Sequence, residues 1–471
     1  MDYSSDDIAR IVSRVVEQLD RSANQSTVPG VSLGNNGFLG CYSSIDECVD
    51  KAKQAYGSLK AYSLSQREQF IFEIRKKCMA NLETLAKMSF DETSLGRYED
   101  KLAKNKLVIE KTPGTEDLQP NAFSGDNGLT LVECAPYGVI GAITPTTNPT
   151  ETIINNSIGM IAAGNSVVFN PHPRARRCCA FAVHLINEAI ISCGGPKDLA
   201  TIMEHPTMES GQALMEHDGI RILVVTGGPG LVKAAARSGK KVIGAGPGNP
   251  PCVIDETADL DEAARHLVQG ATLDNNILCI AEKEVFVVDS VADAFMQALK
   301  RNNAYHVIGA NVAKLEKLIY QDNHMNADFI GKDASFILSH VGIHTDSNIR
   351  LAFMEVDNDH FLVHTEQMMP VMPIVRCKNV KEAIDRAIIA EKGCLHTATM
   401  HSKNLDNLHE MAVRSEVSIF VKNGPSCAGL GFGGEGYTTM TIAGHTGEGL
   451  SSARTYTRSR RCVLKGHFRI V

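Results

Sequence analysis

Residues 221–230 read Arg-Ile-Leu-Val-Val-Thr-Gly-Gly-Pro-Gly, a short apolar run that ends in a glycine-rich turn. A strand over Arg221–Thr226 and a helix from about Gly230 to Ser238 are expected here. The same order of strand and helix is predicted twice before it, at Gly138–Ile143 with Thr150–Ala163 and at Ser166–Asn170 with Ala175–Cys193. Short apolar strands that alternate with helices predict an α/β fold whose mostly parallel sheet is covered on both faces.

The flanking sequence extends this pattern in both directions. Helical periodicity precedes it to about Lys106, and a Gly-, Pro- and Asn-rich segment at Thr112–Ala135 predicts an extended hairpin. A second alternating region runs from about Lys241 to Val421. The chain ends in a basic tail at 454–471.

Length and composition indicate a globular enzyme with two or three subdomains. Of 471 residues, 43% are hydrophobic and 21% charged, and the net charge of −7 gives no support for nucleic-acid binding. No apolar run reaches the ~18 residues that a membrane span needs, and the start lacks a secretory apolar segment. Thirteen cysteines without regular spacing predict no disulfide framework, and the absence of Cys-x-x-Cys argues against a structural metal. A reducing, cytosolic setting is expected.

The first 20 residues form a separate unit of the sequence. Six apolar residues recur at helical spacing and define one narrow stripe, formed by Ile8, Ile11, Val12, Val15, Val16 and Leu19. The polar stretch that follows, at 21–37, is typical of a flexible linker. The stripe either packs against the body of this chain or docks into a groove of a partner, and the pattern alone leaves both open.

Cys279 is the cysteine whose neighbours suggest chemistry. It follows Leu273-Asp-Asn-Asn-Ile-Leu278, in which polar residues and a short apolar step lead to the end of a predicted loop. A thiol nucleophile needs a fixed, partly polar site with backbone N–H groups nearby and access for a substrate. Asn148, between two prolines after strand Gly138–Ile143, is either an oxyanion donor or part of a turn that caps the next helix.

Other segments could contact a nucleotide, but no single one of them is sufficient evidence for a nucleotide-binding site. The turn Gly227-Gly228 lets a phosphate approach a helix N-terminus, although its spacing differs from the fingerprint Gly-x-Gly-x-x-Gly. The run Gly244-Ala-Gly-Pro-Gly248 opens no helix and is predicted to be a turn. The run Asn170-Pro-His-Pro-Arg-Ala-Arg-Arg177 is either a solvated helix start or a site for a ribose or phosphate at the top of the sheet.

Taken in order, these segments resemble the aldehyde dehydrogenase superfamily from about residue 38 onward. The resemblance is strongest to the CoA-acylating aldehyde dehydrogenases of bacterial microcompartments, the propionaldehyde dehydrogenase type. Besides the Cys279 segment, it is carried by Pro149-Thr-Glu-Thr-Ile-Ile-Asn-Asn156, Ala163-Gly-Asn165, Lys240-Lys-Val-Ile-Gly-Ala-Gly-Pro-Gly-Asn-Pro-Pro251, Val421-Lys-Asn-Gly-Pro-Ser426, Thr446-Gly-Glu-Gly449 and Ser452-Ala-Arg454. It implies a Rossmann-type cofactor domain, an α/β catalytic domain and an extended oligomerisation arm.

The resemblance also implies a division of the chain. The expected units are an amphipathic targeting helix at 1–20, a linker at 21–37, a cofactor-binding domain at 38–242 with its arm at about 112–134, a catalytic domain at 243–437, and a return with an oligomerisation tail at 438–471. A homo-oligomer, dimer or tetramer, is expected. In this context the stripe on 1–20 is expected to bind shell or core proteins of a microcompartment, which would place the enzyme in its lumen.

By the same resemblance, Cys279 is the thiolate nucleophile, and the Asn148 amide with the Cys279 N–H holds the oxyanion. Glu366 is expected to hold the nicotinamide ribose of NAD. The other expected coenzyme contacts are Thr144, Pro145, Thr146, Asn170, His172, Pro173, Thr226, Gly227, Gly228 and Gly246. Hydrolytic members place a ribose-binding lysine where this chain has Asn170-Pro-His172, and Arg174, Arg176 and Arg177 could instead favour the extra phosphate of CoA. No metal is expected.

Gly244 is the departure with the largest consequence. Hydrolytic aldehyde dehydrogenases have a glutamate there, which acts as the general base on the attacking water. Since a glycine cannot activate water, the CoA thiol is the expected acyl acceptor. The expected reaction oxidises a short-chain aldehyde such as propanal to its acyl-CoA and reduces NAD. The alternatives are hydrolysis to the free acid and an acylating enzyme specific for acetaldehyde, because pocket shape decides the choice of aldehyde.

Overall fold

The computed structural model describes residues 37–471, so the predicted helix at 1–20 and the predicted linker, apart from Gly37, lie outside the described residues. The α-helices of the described part are α1 (Ile45–Leu59), α2 (Leu64–Ala80), α3 (Leu82–Thr93), α4 (Tyr98–Lys111), α5 (Pro149–Ala162), α6 (Arg176–Ser192), α7 (Met208–Glu216), α8 (Pro229–Ala236), α9 (Leu260–Thr272), α10 (Asp289–Arg301), α11 (Ala310–Ile319), α12 (Ala334–Ser339), α13 (Val380–Glu391) and α14 (Leu405–Ser415).

The strands are β1 (Cys41–Tyr42), β2 (Asn121–Gly125), β3 (Gly128–Pro136), β4 (Val139–Thr144), β5 (Ser166–Pro171), β6 (Ala200–Met203), β7 (Ile222–Thr226), β8 (Lys241–Ala245), β9 (Pro251–Ile254), β10 (Glu284–Val288), β11 (Ala304–His306), β12 (Tyr320–Gln321), β13 (His324–Met325), β14 (Leu351–Glu355), β15 (Val371–Cys377), β16 (Thr397–His401), β17 (Ile419–Lys422), β18 (Ile442–Ala443), β19 (Gly449–Leu450) and β20 (Thr457–Lys465). The strands and helices expected between Gly138 and Ser238 are present with ends shifted by one or two residues, and α4 runs five residues beyond the expected Lys106.

The first sheet has six parallel strands in the order β1-β6-β5-β4-β7-β8. Successive residues of its central strands point to opposite faces. Val139 and Val168 pack with α1, whereas Ile140 and Phe169 pack in the larger core with α5 and α6. The prediction of a parallel sheet covered on both faces is therefore confirmed.

The second sheet has seven parallel strands in the order β11-β14-β15-β10-β9-β16-β17. The segment that carries Cys279 lies between α9 and β10 of this sheet. Its apolar residues Ile277, Leu278 and Ile280 nevertheless pack in the core formed around the first sheet. The Cys279 segment consequently lies where the two sheets meet.

The predicted hairpin is present as β2 and β3, and the basic tail adds to it as a third antiparallel strand. Along β20 the pairing with β3 is continuous from Thr457 opposite Pro136 to Lys465 opposite Gly128. Most of β20 is exposed, as are Phe123 and Val463 on this small sheet. The sequence predicted the hairpin but not its pairing with the tail.

Three further findings on the described residues concern disulfides, membrane-spanning helices and metal sites. All thirteen cysteines are free thiols. Along residues 37–471, no helix combines the length and the apolar character needed to cross a membrane. The same residues contain no group of three His, Cys, Asp or Glu side chains placed to hold a metal ion.

Candidate active site

Four neighbouring strands of the first sheet end at one edge. The register places Thr144 beside Pro171 and Thr226 beside Ala245, so the carboxyl ends of β4, β5, β7 and β8 lie next to one another. Open α/β sheets bind ligands in the crevice beyond such ends. This edge brings together the expected coenzyme residues Thr144, Pro145, Thr146, Asn170, His172, Pro173, Thr226, Gly227, Gly228 and Gly246.

Groups at this edge are available to a ligand. The hydroxyl oxygens of Thr144, Thr146 and Thr226 are buried and have no hydrogen-bond partner among the described residues. Such atoms are uncommon in native proteins unless a ligand or water satisfies them. Gly228 is the exposed N-cap of α8, whose first N–H groups and dipole favour a phosphate. These residues fit a dinucleotide whose pyrophosphate lies against the start of α8.

The end of the crevice near β5 is occupied mainly by neutral groups. The Asn170 Oδ1 accepts a hydrogen bond from Ser210 Oγ at 2.6 Å. Burial, and then Arg174, lowers the pKa of His172 to about 4, so its ring is neutral at pH 7. The nearby arginines do not form one cluster, since Arg174 donates to the Thr93 carbonyl at 3.1 Å and Arg176 contacts His205 at 3.1 Å.

The loop before Cys279 has an unusual backbone. Asp274, Asn275 and Asn276 have φ values of 50°, 54° and 67°. Among non-glycine residues, Asn and Asp adopt this left-handed region most readily, which explains the run Asp-Asn-Asn. Their side chains hold the loop in place. The Asp274 carboxylate accepts from the Arg97 N–H at 2.7 Å, and the Asn276 amide donates to the Ala271 carbonyl at 2.8 Å.

Lys283 also holds the loop before Cys279 in place through hydrogen bonds. Its ammonium donates to the Asn276 carbonyl at 2.7 Å, to the Asn276 Oδ1 at 2.6 Å and to the Leu278 carbonyl at 3.3 Å. The side chain is fully buried. Because these carbonyls belong to the residues just before Cys279, Lys283 fixes the path of the backbone into the nucleophile.

Burial raises the pKa of the Cys279 thiol to about 12. The Glu366 carboxylate raises this pKa further, whereas the ammonium groups of Lys283 and Lys104 lower it. Cys279 as a whole residue is half-buried. At neutral pH the free protein holds it protonated, so it needs either a base or added positive charge to become a nucleophile.

Gly248 connects three groups around this thiol. A Cβ at Gly248 would lie 2.3 Å from the Cys279 carbonyl oxygen and 3.1 Å from the His396 ring, so only glycine fits. Its N–H donates to the Glu366 carboxylate. His396 is buried, and its Nε2 has no hydrogen-bond partner in the described part of the chain. Burial, then Lys283 and His445, lowers the pKa of His396 to about 4, which leaves a neutral imidazole beside the nucleophile.

Asn148 lies at the N-cap position of α5, but its side chain does not cap the helix. Its Oδ1 accepts a hydrogen bond of 2.7 Å from the Lys104 ammonium, and its Nδ2 donates to Thr147 Oγ1 at 3.2 Å. The turn therefore does begin the helix as that alternative expected, with the Thr152 N–H donating to the Asn148 carbonyl at 3.0 Å, while the Asn148 side chain has other partners. An amide fixed in this way can donate to an oxyanion.

Three buried side chains at this site were not expected from the sequence: Lys104, Lys283 and His396. Lys101, Lys104, Asn105 and Val108 recur at the spacing of one helix face, but only the structure shows that this face is buried. By sequence alone, a face that carries two lysines and an asparagine is typical of a solvated surface. For His396 the sequence holds no signal either, since its neighbours Gly248 and Cys279 come from distant segments.

Comparisons with known proteins agree with this geometry. The model of the aldehyde dehydrogenase family matches residues 40–319. Acetaldehyde dehydrogenase (acetylating) EutE of Salmonella typhimurium is 46% identical over 473 residues, which cover 99% of each chain. The chain belongs to the aldehyde dehydrogenase family.

Two solved structures of this family share the fold closely. Propionaldehyde dehydrogenase of Rhodopseudomonas palustris, with bound CoA and an acylated cysteine, has a TM-score of 0.89 and 49% identity, covering 91% of this chain and 98% of that one. Propionaldehyde dehydrogenase from the Clostridium phytofermentans fucose utilisation bacterial microcompartment has a TM-score of 0.90 and 47% identity, covering 92% and 100%. The resemblance found in the sequence is thereby confirmed.

Gly244 is tightly surrounded in this aldehyde dehydrogenase. Its N–H donates to Thr446 Oγ1 at 3.1 Å. A Cβ at this position would lie 2.8 Å from Val232 in α8 and 3.4 Å from the Thr446 methyl group. A side chain at this position would therefore require the Val232 side chain to shift.

The charges around Cys279 predict its reactivity. Replacing Glu366 by Gln removes a negative charge and so lowers the thiol pKa. Iodoacetamide should then alkylate Cys279 several-fold faster at pH 8, with the pH profile shifted to lower pH, while NADH formation falls if Glu366 holds the ribose. Peptide mass spectrometry of Cys279 measures this rate. Lys283→Met is the opposite control, and an alkylation rate that is unchanged or slower in E366Q would contradict the assignment.

Proposed function

We propose that this enzyme oxidises a short-chain aldehyde, propanal or a close analogue, to its acyl-CoA thioester with reduction of NAD. The observation that carries this proposal is the set of groups around Cys279, with no carboxylate able to act at Gly244. The acylated cysteine and the CoA in the R. palustris relative support the same chemistry.

In the first half-reaction, the Cys279 thiol loses its proton to solvent, and the resulting thiolate attacks the aldehyde carbonyl and forms a C–S bond. The Asn148 amide and the Cys279 N–H bind the resulting oxyanion. When bound, the coenzyme supplies a hydride acceptor. Thr144, Thr146, Thr226 and the start of α8 hold it at the sheet edge, and Glu366 holds its nicotinamide ribose. Loss of the hydride converts the hemithioacetal into a thioester on Cys279.

In the second half-reaction, the CoA thiol attacks this thioester and releases the Cys279 thiolate. A neutral imidazole with a free Nε2 can accept the CoA proton, and His396 offers one beside the backbone of the nucleophile. The nearby thiolate favours protonation of His396, since opposite charges stabilise each other. The reaction is balanced as aldehyde, CoA and NAD⁺ giving acyl-CoA, NADH and a proton.

Hydrolysis to the free acid is the weaker alternative, because Gly244 has no side chain that could act as a general base on water. An assay can distinguish propanal from acetaldehyde as the preferred substrate, since relatives described as acting on each of them match this chain. A panel of aldehydes compared by kcat/KM with CoA and NAD measures this preference.

We also propose how the chain divides into functional units. Residues 38–242 would bind the coenzyme and residues 243–437 would carry the nucleophile, since the two parallel sheets lie within 41–245 and 251–422. The arm at about 112–134 and the tail at 438–471 would pair subunits of a dimer or tetramer. Their joint sheet, with exposed β20, supports this proposal.

Cys279→Ala tests the nucleophile. Without the thiol no thioester forms, so CoA-dependent NADH formation should fall by at least about 10⁴-fold, in the range known for removal of nucleophiles. Product analysis of the wild type by chromatography should show acyl-CoA with CoA present and at most traces of acid without it. Retained activity of C279A, or stoichiometric acid formation by the wild type, would refute the proposal.

His396→Ala separates the two half-reactions. The steady-state rate with CoA should fall about 100-fold, the scale of general-base catalysis. The single burst of NADH measured without CoA should keep its rate and its amplitude, because His396 is assigned only to the second step. A burst rate that falls as strongly as the steady-state rate would contradict this assignment.

Deletion of residues 1–20 tests the targeting proposal. The C. phytofermentans relative comes from a microcompartment, and the narrow apolar stripe suits a groove on a shell or core protein. The truncated enzyme should keep its kcat/KM and Tm but lose co-purification with intact microcompartments. A matched variant with Ile8 and Val12 replaced by Asp should behave likewise. A lower Tm with retained encapsulation would instead indicate packing against the body.

A further inference from the structure

Lys104 is a fully buried lysine that joins three separate parts of the site. From α4 its ammonium reaches Asp274 Oδ2 in the nucleophile loop at 2.6 Å. It reaches Glu151 Oε1 in the first turn of α5 at 3.3 Å. The same nitrogen donates to the Asn148 Oδ1 at 2.7 Å. No side-chain surface of Lys104, Asp274 or Glu151 is exposed to solvent.

The charge on Lys104 is maintained by its carboxylate partners. Burial alone would lower the pKa of Lys104, but Asp274 and Glu151 raise it above its ordinary value. Burial would likewise raise the pKa of Asp274, and Lys104 and Lys101 hold it below its ordinary value. Both groups are therefore charged at neutral pH.

An ammonium group can only donate hydrogen bonds, and this decides the orientation of the Asn148 amide. The Oδ1 must face Lys104, so the Nδ2 is turned the other way. One Nδ2 hydrogen is used by Thr147 Oγ1 at 3.2 Å, which leaves the second hydrogen for a ligand. The positive charge on the Oδ1 side also polarises the amide and makes its N–H a stronger donor.

We propose that Lys104 is the positioning residue of the oxyanion site, which fixes the Asn148 amide so that its Nδ2 donates to the substrate oxygen. This inference rests on the proposed function, in which Asn148 binds the oxyanion. Through Asp274, the same side chain also links the oxyanion donor to the loop that carries Cys279.

A purely structural role for Lys104 makes a different prediction. In that case its removal would destabilise the fold and reduce activity whatever residue stands at 148. If Lys104 acts through Asn148, its removal should cost almost nothing once the amide is gone, since interacting residues are not additive.

The test is a double-mutant cycle with Lys104→Met and Asn148→Ala in the full chain, measured by single-turnover NADH formation with an aldehyde series. K104M should lower kcat by at least about tenfold, and N148A by about 100-fold, as for an oxyanion donor. The aldehyde KM should change by less than about threefold in either variant. In the N148A background, K104M should reduce the rate by no more than about twofold.

Lys101→Met is the matched control. Lys101 is equally buried and contacts the same Asp274 Oδ2 at 3.1 Å, but among the described residues its ammonium donates no hydrogen bond to Asn148. K101M should lower the Tm as K104M does, but it should lower kcat severalfold less than K104M, because it disturbs the Cys279 loop through Asp274 and leaves the hydrogen bond from Lys104 to Asn148 in place. If the Met variants do not fold, Lys104→Gln and Lys101→Gln replace them. K104Q should then give an intermediate loss, because its amide can still donate to Oδ1.

Additive losses, with K104M slowing N148A as strongly as it slows the wild type, would overturn the inference. Equal losses of kcat in K101M and K104M would overturn it as well. Failure of the proposed function would look different, because the wild type itself would then form no NADH with aldehyde and CoA.

Discussion

A buried group of two lysines and two carboxylates holds the active site together. Lys101 and Lys104 of α4 both contact Asp274, and Lys104 also contacts Glu151, with every one of these side chains shielded from solvent. Removing one member of such a group costs about 3–5 kcal/mol, because the remaining charge is left uncompensated in the interior. The group therefore works as a unit that ties α4, the start of α5 and the Cys279 loop to one geometry.

That unit explains how the nucleophile loop keeps its conformation. Three consecutive residues in the left-handed region are a locally unfavourable arrangement, even for Asp and Asn. Asp274 is held by the lysines and by the Arg97 N–H, and Asn276 by Lys283 and the Ala271 carbonyl. The loop is consequently specified from both sides, and the thiol at its end is rigidly placed. Rigid placement is what a reaction that passes through a tetrahedral oxyanion requires of its nucleophile.

The same burial that orders the loop keeps the Cys279 thiol protonated. A protonated thiol is slow to oxidise, so the resting enzyme protects the residue on which it depends. Lys283 and Lys104 act against the burial, and any further positive charge brought beside the thiol favours the thiolate. The balance between Glu366 and these lysines thus makes the thiol responsive to what binds in the crevice.

Much of the fold could be predicted from the sequence, because its strands are buried on both faces and are continuously apolar. Cys279, Asn148 and the sheet-edge residues could also be found, because each directly follows a predicted strand or belongs to a motif of a known family. The partners that give them their properties could not. Lys101 and Asp274 lie 173 residues apart, and each charge looks like an ordinary surface residue of its own segment. The pairing of β20 with β3 was equally hidden, since β20 is largely polar and exposed and lies far from β3 in the sequence.

The fate of the acyl group follows from where the enzyme has and lacks proton acceptors. On the side of β8, Gly244 offers no side chain, and Val232 and Thr446 fill the space that one would need. Near Gly248, His396 offers a neutral imidazole with an unused nitrogen. Water is abundant but a poor nucleophile without a base, whereas a thiol is intrinsically strong and needs only to lose its proton. In the proposed mechanism, a site with a base at His396 and none at position 244 retains the thioester until a thiol arrives, which would separate acyl transfer from hydrolysis.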